Sequence, residues 1–429
     1  MIPVVIWGVL SGWCTPRGPL TATGAIVTIV VSVAAGVLAA RTRRPYLVLP
    51  LLFVVAAELG RLPASGPSVD TPRLTAFGMI ALVTVRGVHW LTALVPLLLG
   101  VVAARSFRAR TWHRWPALAL LAALLVAFAV PARTTPVPGG VAAMARVDGL
   151  TVMIRGARPD LPVLLFVPGT PGGSETGAVR EHLAGLERHF IVATMDRRAF
   201  PGPSVSLDSE VADVLAVTAH LRSRFGRHRI HLLGFSGGSL VGAVAAARSP
   251  AQFHAYVGTG QAVDLRASDE IFYADILAWA RATGRTEVAD GLAAQGPPPY
   301  PGFREYELFL LHETEAYGQG TPPVGVGGPE RTLLAKAHTL TAIMDTWDAL
   351  YPKLQSVDLR RDVPRLAVPA WFVQGSEEMR GLEELFTPWY EQLQAPAKRL
   401  FVVPGAGHRA MFEQPDRFVA IMAEIAAAT

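Results

Sequence analysis

Cys14 is the only cysteine in this chain of 429 residues, so no intrachain disulfide can form. That lack leans toward a cytoplasmic domain, but the charge pattern described below outweighs it. No Cys/His spacing suggests a zinc site. Lysine is almost missing, with only Lys336, Lys353 and Lys398, which reads as the codon bias of a GC-rich genome rather than as a binding surface. Charged residues make up 17% of the chain and hydrophobic residues 51%, too apolar a balance for an ordinary soluble enzyme. The formal charge of +5 does not indicate a nucleic-acid partner. Its arginines gather in short loops between apolar runs, at 41–44 and 105–114, a pattern that membrane topology explains better.

The apolar excess lies in residues 1–132. A spanning helix needs roughly 20 apolar residues, and the runs Leu20–Ala40, Tyr46–Leu59, His89–Ala104 and Pro116–Val130 are read as spans. Ile2–Trp13 is half-length, a tilted or partial span, which gives four or five segments in an all-α transmembrane domain. The N-terminus shows neither a charged lead nor a cleavage site, so a cleaved signal peptide is not expected. Three arginines at 41–44 and four at 105–114 place both loops in the cytoplasm. The last span then exits near Val130, and the following domain lies outside the membrane. A separate crossing at Leu74–Val88 would reverse this and strand the 105–114 arginines outside. Glu58, Arg61, Asp70, Arg73, Arg86 and His89 sit near the outer ends of the spans. They are either interfacial anchors or a paired cluster that docks the second domain or guides a substrate.

Residues 133–149, with the proline- and glycine-rich stretch Thr134–Gly140, read as a linker. From 150 to 429, strand-like runs alternate with helical ones. The strands are Leu150–Arg155, Leu161–Val167, Phe190–Met195, His228–Phe235, Ala255–Gly258, Ala370–Gln374 and Arg399–Val403. This predicts an α/β class, with a mostly parallel sheet covered by helices on both faces. Residues 262–364 break the alternation. They are mostly helical and polar, and read as a cap inserted over the site.

The chemistry starts at Gly234-Phe235-Ser236-Gly237-Gly238. Gly-x-Ser-x-Gly is a nucleophile elbow, a sharp strand-to-helix turn that lifts the serine oxygen clear of the backbone. Ser236 is the candidate nucleophile, and Ser239 falls one turn into the helix. His408, in Gly405-Ala406-Gly407-His408 after a strand, is the candidate base. Glu378, at the end of the preceding strand, is the candidate acid, with Glu377 as its competitor. Serine, acid, histidine is the chain order of the α/β-hydrolase fold. The amide of Gly237 should supply one oxyanion donor. Thr170, in the turn Pro168-Gly169-Thr170-Pro171-Gly172-Gly173, should supply the second. Glu313 and Glu315, within His312-Glu313-Thr314-Glu315 of the cap, are either an exposed helix face or carboxylates for a substrate amine. No metal and no cofactor are expected.

The Pro168–Gly173 turn resembles the His-Gly-Gly-Pro-Gly-Gly turn of proline iminopeptidases. Asp196-Arg197-Arg198-Ala199, with Gly202 and Ser204, is similar to their Asp-Gln-Arg-Gly-x-Gly-x-Ser loop. The elbow and the His408 loop match as well. With its apolar first part, the chain resembles the multi-pass membrane α/β-hydrolases of actinobacteria, grouped with those serine aminopeptidases. The resemblance implies a serine acyl-enzyme, no cofactor, and release of N-terminal residues from small peptides, with cap glutamates on the amine. The sequence departs from the family at Pro168, Ala199, Gly237 and Glu378. Gly237 replaces a bulky residue and is expected to open the acyl pocket. The expected protein is therefore a membrane serine hydrolase with its catalytic domain on the extracytoplasmic side. Its substrate is a small peptide or, alternatively, a lipid or hydrophobic ester. A non-enzymatic ligand-binding domain is the third reading.

Overall fold

The computed structural model describes residues 1–64, 72–170, 172–198, 204–320, 325 and 327–429. It divides into two compact units, Met1–Ala132 with Arg331–Ala342, and Arg133–Glu330 with Ile343–Thr429. The stretch Arg331–Ala342, which falls within the cap as read from the sequence, belongs to the first unit.

The first unit contains α1 (Ile2–Cys14), α2 (Ala22–Leu38), α3 (Pro45–Arg61), α4 (Ala76–Ala109) and α5 (Arg114–Ala129). Among the described residues, α4 is the one helix long and apolar enough to cross a membrane. Its 34 residues span about 51 Å at 1.5 Å per residue, against a hydrocarbon core of about 30 Å. α1, α2 and α5 are apolar but shorter, at 13, 17 and 16 residues. The span read as His89–Ala104 is the second half of this one helix, which already starts at Ala76. Arg86 and His89 interrupt hydropathy but not the backbone, because partners on neighbouring helices satisfy their side chains. Glu58 pairs with both Arg61 and Arg86. His89, wholly buried, meets Ser11 Oγ through Nε2 at 2.6 Å and accepts from Arg61 at Nδ1. Asp70 lies outside the described residues. At the other end of the bundle, Arg105 donates to the carbonyls of Ala40 and Thr42 at 2.8 and 2.9 Å. That contact brings the two arginine-rich loops together. Small residues let the helices touch backbone to backbone, at Gly60 between α1 and α3 and at Gly36 between α2 and α4.

The second unit is built on an eight-stranded sheet ordered β1-β2-β4-β3-β5-β6-β7-β8. The strands are β1 (Val141–Val147), β2 (Leu150–Gly156), β3 (Val163–Val167), β4 (Ile191–Met195), β5 (Ile230–Phe235), β6 (Phe253–Thr259), β7 (Ala370–Gly375) and β8 (Lys398–Val403). β1 and β2 are antiparallel to their neighbours and the rest are parallel. β1 occupies part of the stretch read as a linker. It joins β2 through Asp148-Gly149, both at positive φ, as a two-residue hairpin requires. Its alternation is weak because it is a half-buried edge strand.

The central strands are apolar throughout because both faces are covered. β3, for example, exposes none of its five residues. On one face lie α6 (Thr176–His182) and α17 (Pro415–Ala428), whose Phe418 joins Phe166, Leu186, Phe190 and Val373 in one buried apolar cluster. On the other lie α7 (Leu207–Phe225) and α8 (Gly237–Arg248). α7 is sharply bounded by a Ser206–Ser209 capping box and by Gly226 at φ +60°. Between β6 and β7 the chain forms α9 (Leu265–Ala282), α10 (Thr286–Gln295), α11 (Phe303–Ala316), α12 (Leu333–Ala337), α13 (Thr339–Leu354) and α14 (Leu359–Asp362), and α15 (Arg380–Gln392) and α16 (Ala410–Glu413) follow β7 and β8. α12 is part of the first unit.

Candidate active site

β5 ends at Phe235 and α8 begins at Gly237, so Ser236 is the corner between them, at φ +52° and ψ −133°. A non-glycine residue held there costs on the order of 1–3 kcal/mol and persists only where its surroundings enforce it. Here Ser236 N donates to the Thr259 carbonyl at 3.0 Å. Only glycine fits beside the corner. A Cβ at Gly234 would stand 2.6 Å from Ser239 Cα, and one at Gly238 would run into the Pro168 carbonyl. Ser239 is fully buried and structural, donating to the Ser236 carbonyl at 2.5 Å and accepting from Ala262 N at 3.0 Å.

The structure brings Ser236, His408 and Glu378 into one row. His408 Nε2 lies 3.0 Å from Ser236 Oγ, and its Nδ1 lies 3.0 Å from Glu378 Oε1. Glu378 and His408 are both buried, and Met379 N donates to the same Glu378 oxygen at 2.9 Å. Glu377 is exposed, and its side chain meets Ser376 Oγ. The histidine loop is braced from the cap, where Gln319 Oε1 accepts from His408 N at 3.1 Å. Phe235 packs on the imidazole with ring centroids 5.3 Å apart.

The Pro168–Thr170 turn lies against the elbow. A Cβ on Gly237 would run into the Thr170 carbonyl. The space released by having glycine at 237 is therefore filled by the turn's own backbone. This corrects the expectation of an opened acyl pocket. Pro171, Ala199 and Gly202 lie outside the described residues.

The cap glutamates are not grouped at one spot. Glu313, on α11, is buried and paired with Arg409, the residue after His408. Glu315 is exposed and paired with Arg285.

Two charged residues at the site escaped the reading from sequence. Glu175 accepts from Gly169 N at 3.4 Å, and its Oε2 is buried without a hydrogen-bond partner among the described residues. Burial pushes its carboxyl up to about 7, against the opposing pull of Arg197. Arg197 reaches the turn from the loop after β4. No local pattern marks either residue, since both act across the fold. In sequence, the Asp196-Arg197-Arg198 loop carries no signal beyond its likeness to a family motif.

With this geometry in view, known proteins give the chain its place. Residues 164–421 match the model of the alpha/beta hydrolase family. A probable aminopeptidase, YbaC of Bacillus subtilis (strain 168), is 24% identical over 284 residues, covering 62% of this chain and 89% of that protein. A crystal structure of proline iminopeptidase from Mycobacterium smegmatis aligns at TM-score 0.47 and 18% identity, over 67% of this chain and 98% of the other. The carboxylesterase CesB of Bacillus subtilis aligns at TM-score 0.42 and 15% identity, over 66% and 90%. The family match spans the sheet from β3 onward and includes Ser236, Glu378 and His408. The chain belongs to the α/β hydrolase family.

Proposed function

We propose that the protein is a membrane-bound serine hydrolase that cleaves N-terminal residues from small peptides through an acyl-enzyme. The observation that carries this reading is the unbroken row from Ser236 Oγ through the His408 ring to Glu378, with both steps at 3.0 Å. Ser236 attacks the substrate carbonyl while His408 Nε2 takes its proton. Glu378 holds Nδ1–H and stabilises the imidazolium. The amides of Thr170 and Gly237 receive the developing oxyanion. His408 then protonates the leaving amine, and water, activated by the same histidine, releases the acyl group.

The name of the Bacillus subtilis relative favours amides over esters. For the free amine we assign Glu313 rather than Glu315. Glu313 is buried and tied through Arg409 to the histidine loop, whereas Glu315 faces solvent. The apolar first unit favours a second reading, an esterase or lipase drawing hydrophobic esters from a bilayer.

We further propose that α2, α3, α4 and α5 cross a bilayer. Two crossings separate the arginine loops, which their Arg105 contact holds at one end. That end is cytoplasmic by the positive-inside rule, and the hydrolase unit follows α5 on the extracytoplasmic side.

Matched alanyl and prolyl arylamides, with free and acetylated N-termini, test the reaction against a Ser236→Ala control. Serine-dependent cleavage of the free-amine forms alone supports an aminopeptidase. No cleavage of either form, with turnover of lipid esters, replaces it with the second reading.

A further inference from the structure

Arg197 directs its guanidinium at three consecutive residues of the turn beside Ser236. Nε donates to the Gly169 carbonyl at 2.9 Å, and Nη2 donates to the Pro168 carbonyl at 2.5 Å and also to Thr170 Oγ1. Nη1 pairs with Glu210 in the first turn of α7, and both side chains are largely buried. The planar fork of arginine suits several fixed acceptors at once, where a lysine ammonium would serve as a single point.

The contact with Gly169 has a directional consequence. Its carbonyl and the Thr170 N–H belong to one planar trans peptide and point opposite ways. Anchoring that carbonyl on Arg197 turns the Thr170 N–H away from the guanidinium. The elbow lies against the same turn. A Cβ on Gly169 would stand 3.6 Å from Ser236 Cβ, and the Thr170 carbonyl abuts Gly237. Glu175 holds the N–H on the other side of Gly169.

We propose that Arg197 is a positioning residue that fixes the Gly169–Thr170 peptide so that the Thr170 N–H meets the oxyanion. This rests on the acyl-transfer reading above. Arg197 touches no reacting atom and acts through the turn. Its neighbour Arg198 pairs with Asp213 and with the Asp148 carbonyl, away from the turn, and serves as a control from the same loop.

The experiment uses the full chain in detergent micelles, with an alanyl arylamide, an aryl ester and a fluorophosphonate that labels the active serine. Arg197→Ala should lower kcat about 100-fold, the scale of losing one oxyanion donor. KM should stay within about threefold, since ground-state binding is not altered, and the melting midpoint should stay close to that of the unaltered protein. Added guanidinium should restore part of kcat, while sodium at equal ionic strength should not. Arg197→Lys should remain well below the unaltered protein, and Arg198→Ala should match it. A folded Arg197→Ala or Arg197→Lys protein with unaltered kcat overturns the proposal. So does a loss confined to KM or to the melting midpoint. Should Arg197→Ala not fold, Arg197→Lys decides alone. If the unaltered protein shows neither Ser236-dependent turnover nor fluorophosphonate labelling, the acyl-transfer reading fails and this proposal with it. Activity in the unaltered protein with no effect at Arg197 removes only the latter.

Discussion

Gly260 stands directly against the imidazole of His408. It follows β6 at φ +53°, and a Cβ there would lie 2.7 Å from His408 Cε1 and 2.8 Å from Nδ1. The ring keeps its place between Ser236 and Glu378 because the residue that follows the neighbouring strand has no side chain. Gly260→Ala should therefore reduce kcat by roughly 10²-fold, the scale expected for a base displaced by about 1 Å. Left-handed strain should add about 1–2 kcal/mol of destabilisation. Steady-state kinetics with thermal melting checks both.

The acid is singled out by its contact rather than by its type. Glu378→Gln keeps the side-chain size but removes the charge that sets the histidine tautomer. It should lower kcat on the order of 10³- to 10⁴-fold. Glu377→Gln, at the exposed neighbour, should stay within about twofold, as surface changes usually do. Equal losses in the two variants would contradict the assignment.

The buried Glu313–Arg409 pair gives a stability prediction. Glu313→Gln leaves Arg409 without its countercharge, and breaking such a pair costs about 3–5 kcal/mol. Under the amine assignment it should also raise KM for free-amine arylamides and leave acetylated esters unchanged. Denaturant titration reads the first effect and paired KM values the second.

Asp269, on α9, is buried beneath Tyr306 and Tyr351, whose hydroxyls donate to its two oxygens. Burial pushes its carboxyl up from 3.8 to about 7, against those hydrogen bonds. The folded state then holds a proton that the unfolded state releases between about pH 4 and 7. Asp269 accordingly makes stability fall as pH rises through that window, with no further loss above it. Asp269→Asn should flatten that slope and should be relatively more stable at pH 8 than at pH 4. Melting midpoints measured across this range test the sign.

Cys14 reports topology without engineering. It is exposed at the end of α1. Next to it Pro16 accepts from Arg61, at the end of the bundle opposite Arg105. With the arginine loops in the cytoplasm, a membrane-impermeant maleimide should label Cys14 in intact cells. Labelling that appears only after lysis would invert the proposed orientation.

The sequence alone made the elbow and the order of Ser236, Glu378 and His408 legible. It also showed the alternation of strands and helices and the apolar character of residues 1–132. These signals are local: a corner needs glycines at fixed offsets, a strand buried on both faces needs an apolar run, and a helix among apolar neighbours needs few charges. The Asp148-Gly149 turn was not legible, because the weak alternation of the half-buried β1 made residues 133–149 read as a linker. Only the tertiary structure decided the rest. It placed the Glu378 carboxylate, not that of Glu377, on His408, and filled the space at Gly237 with the Thr170 carbonyl. It joined Ala76–Val88 to the rest of α4, and set Arg197 behind the turn. Each of these outcomes depends on groups far apart in the chain that meet only after folding, and no nearest-neighbour pattern encodes where a long side chain will find its partner.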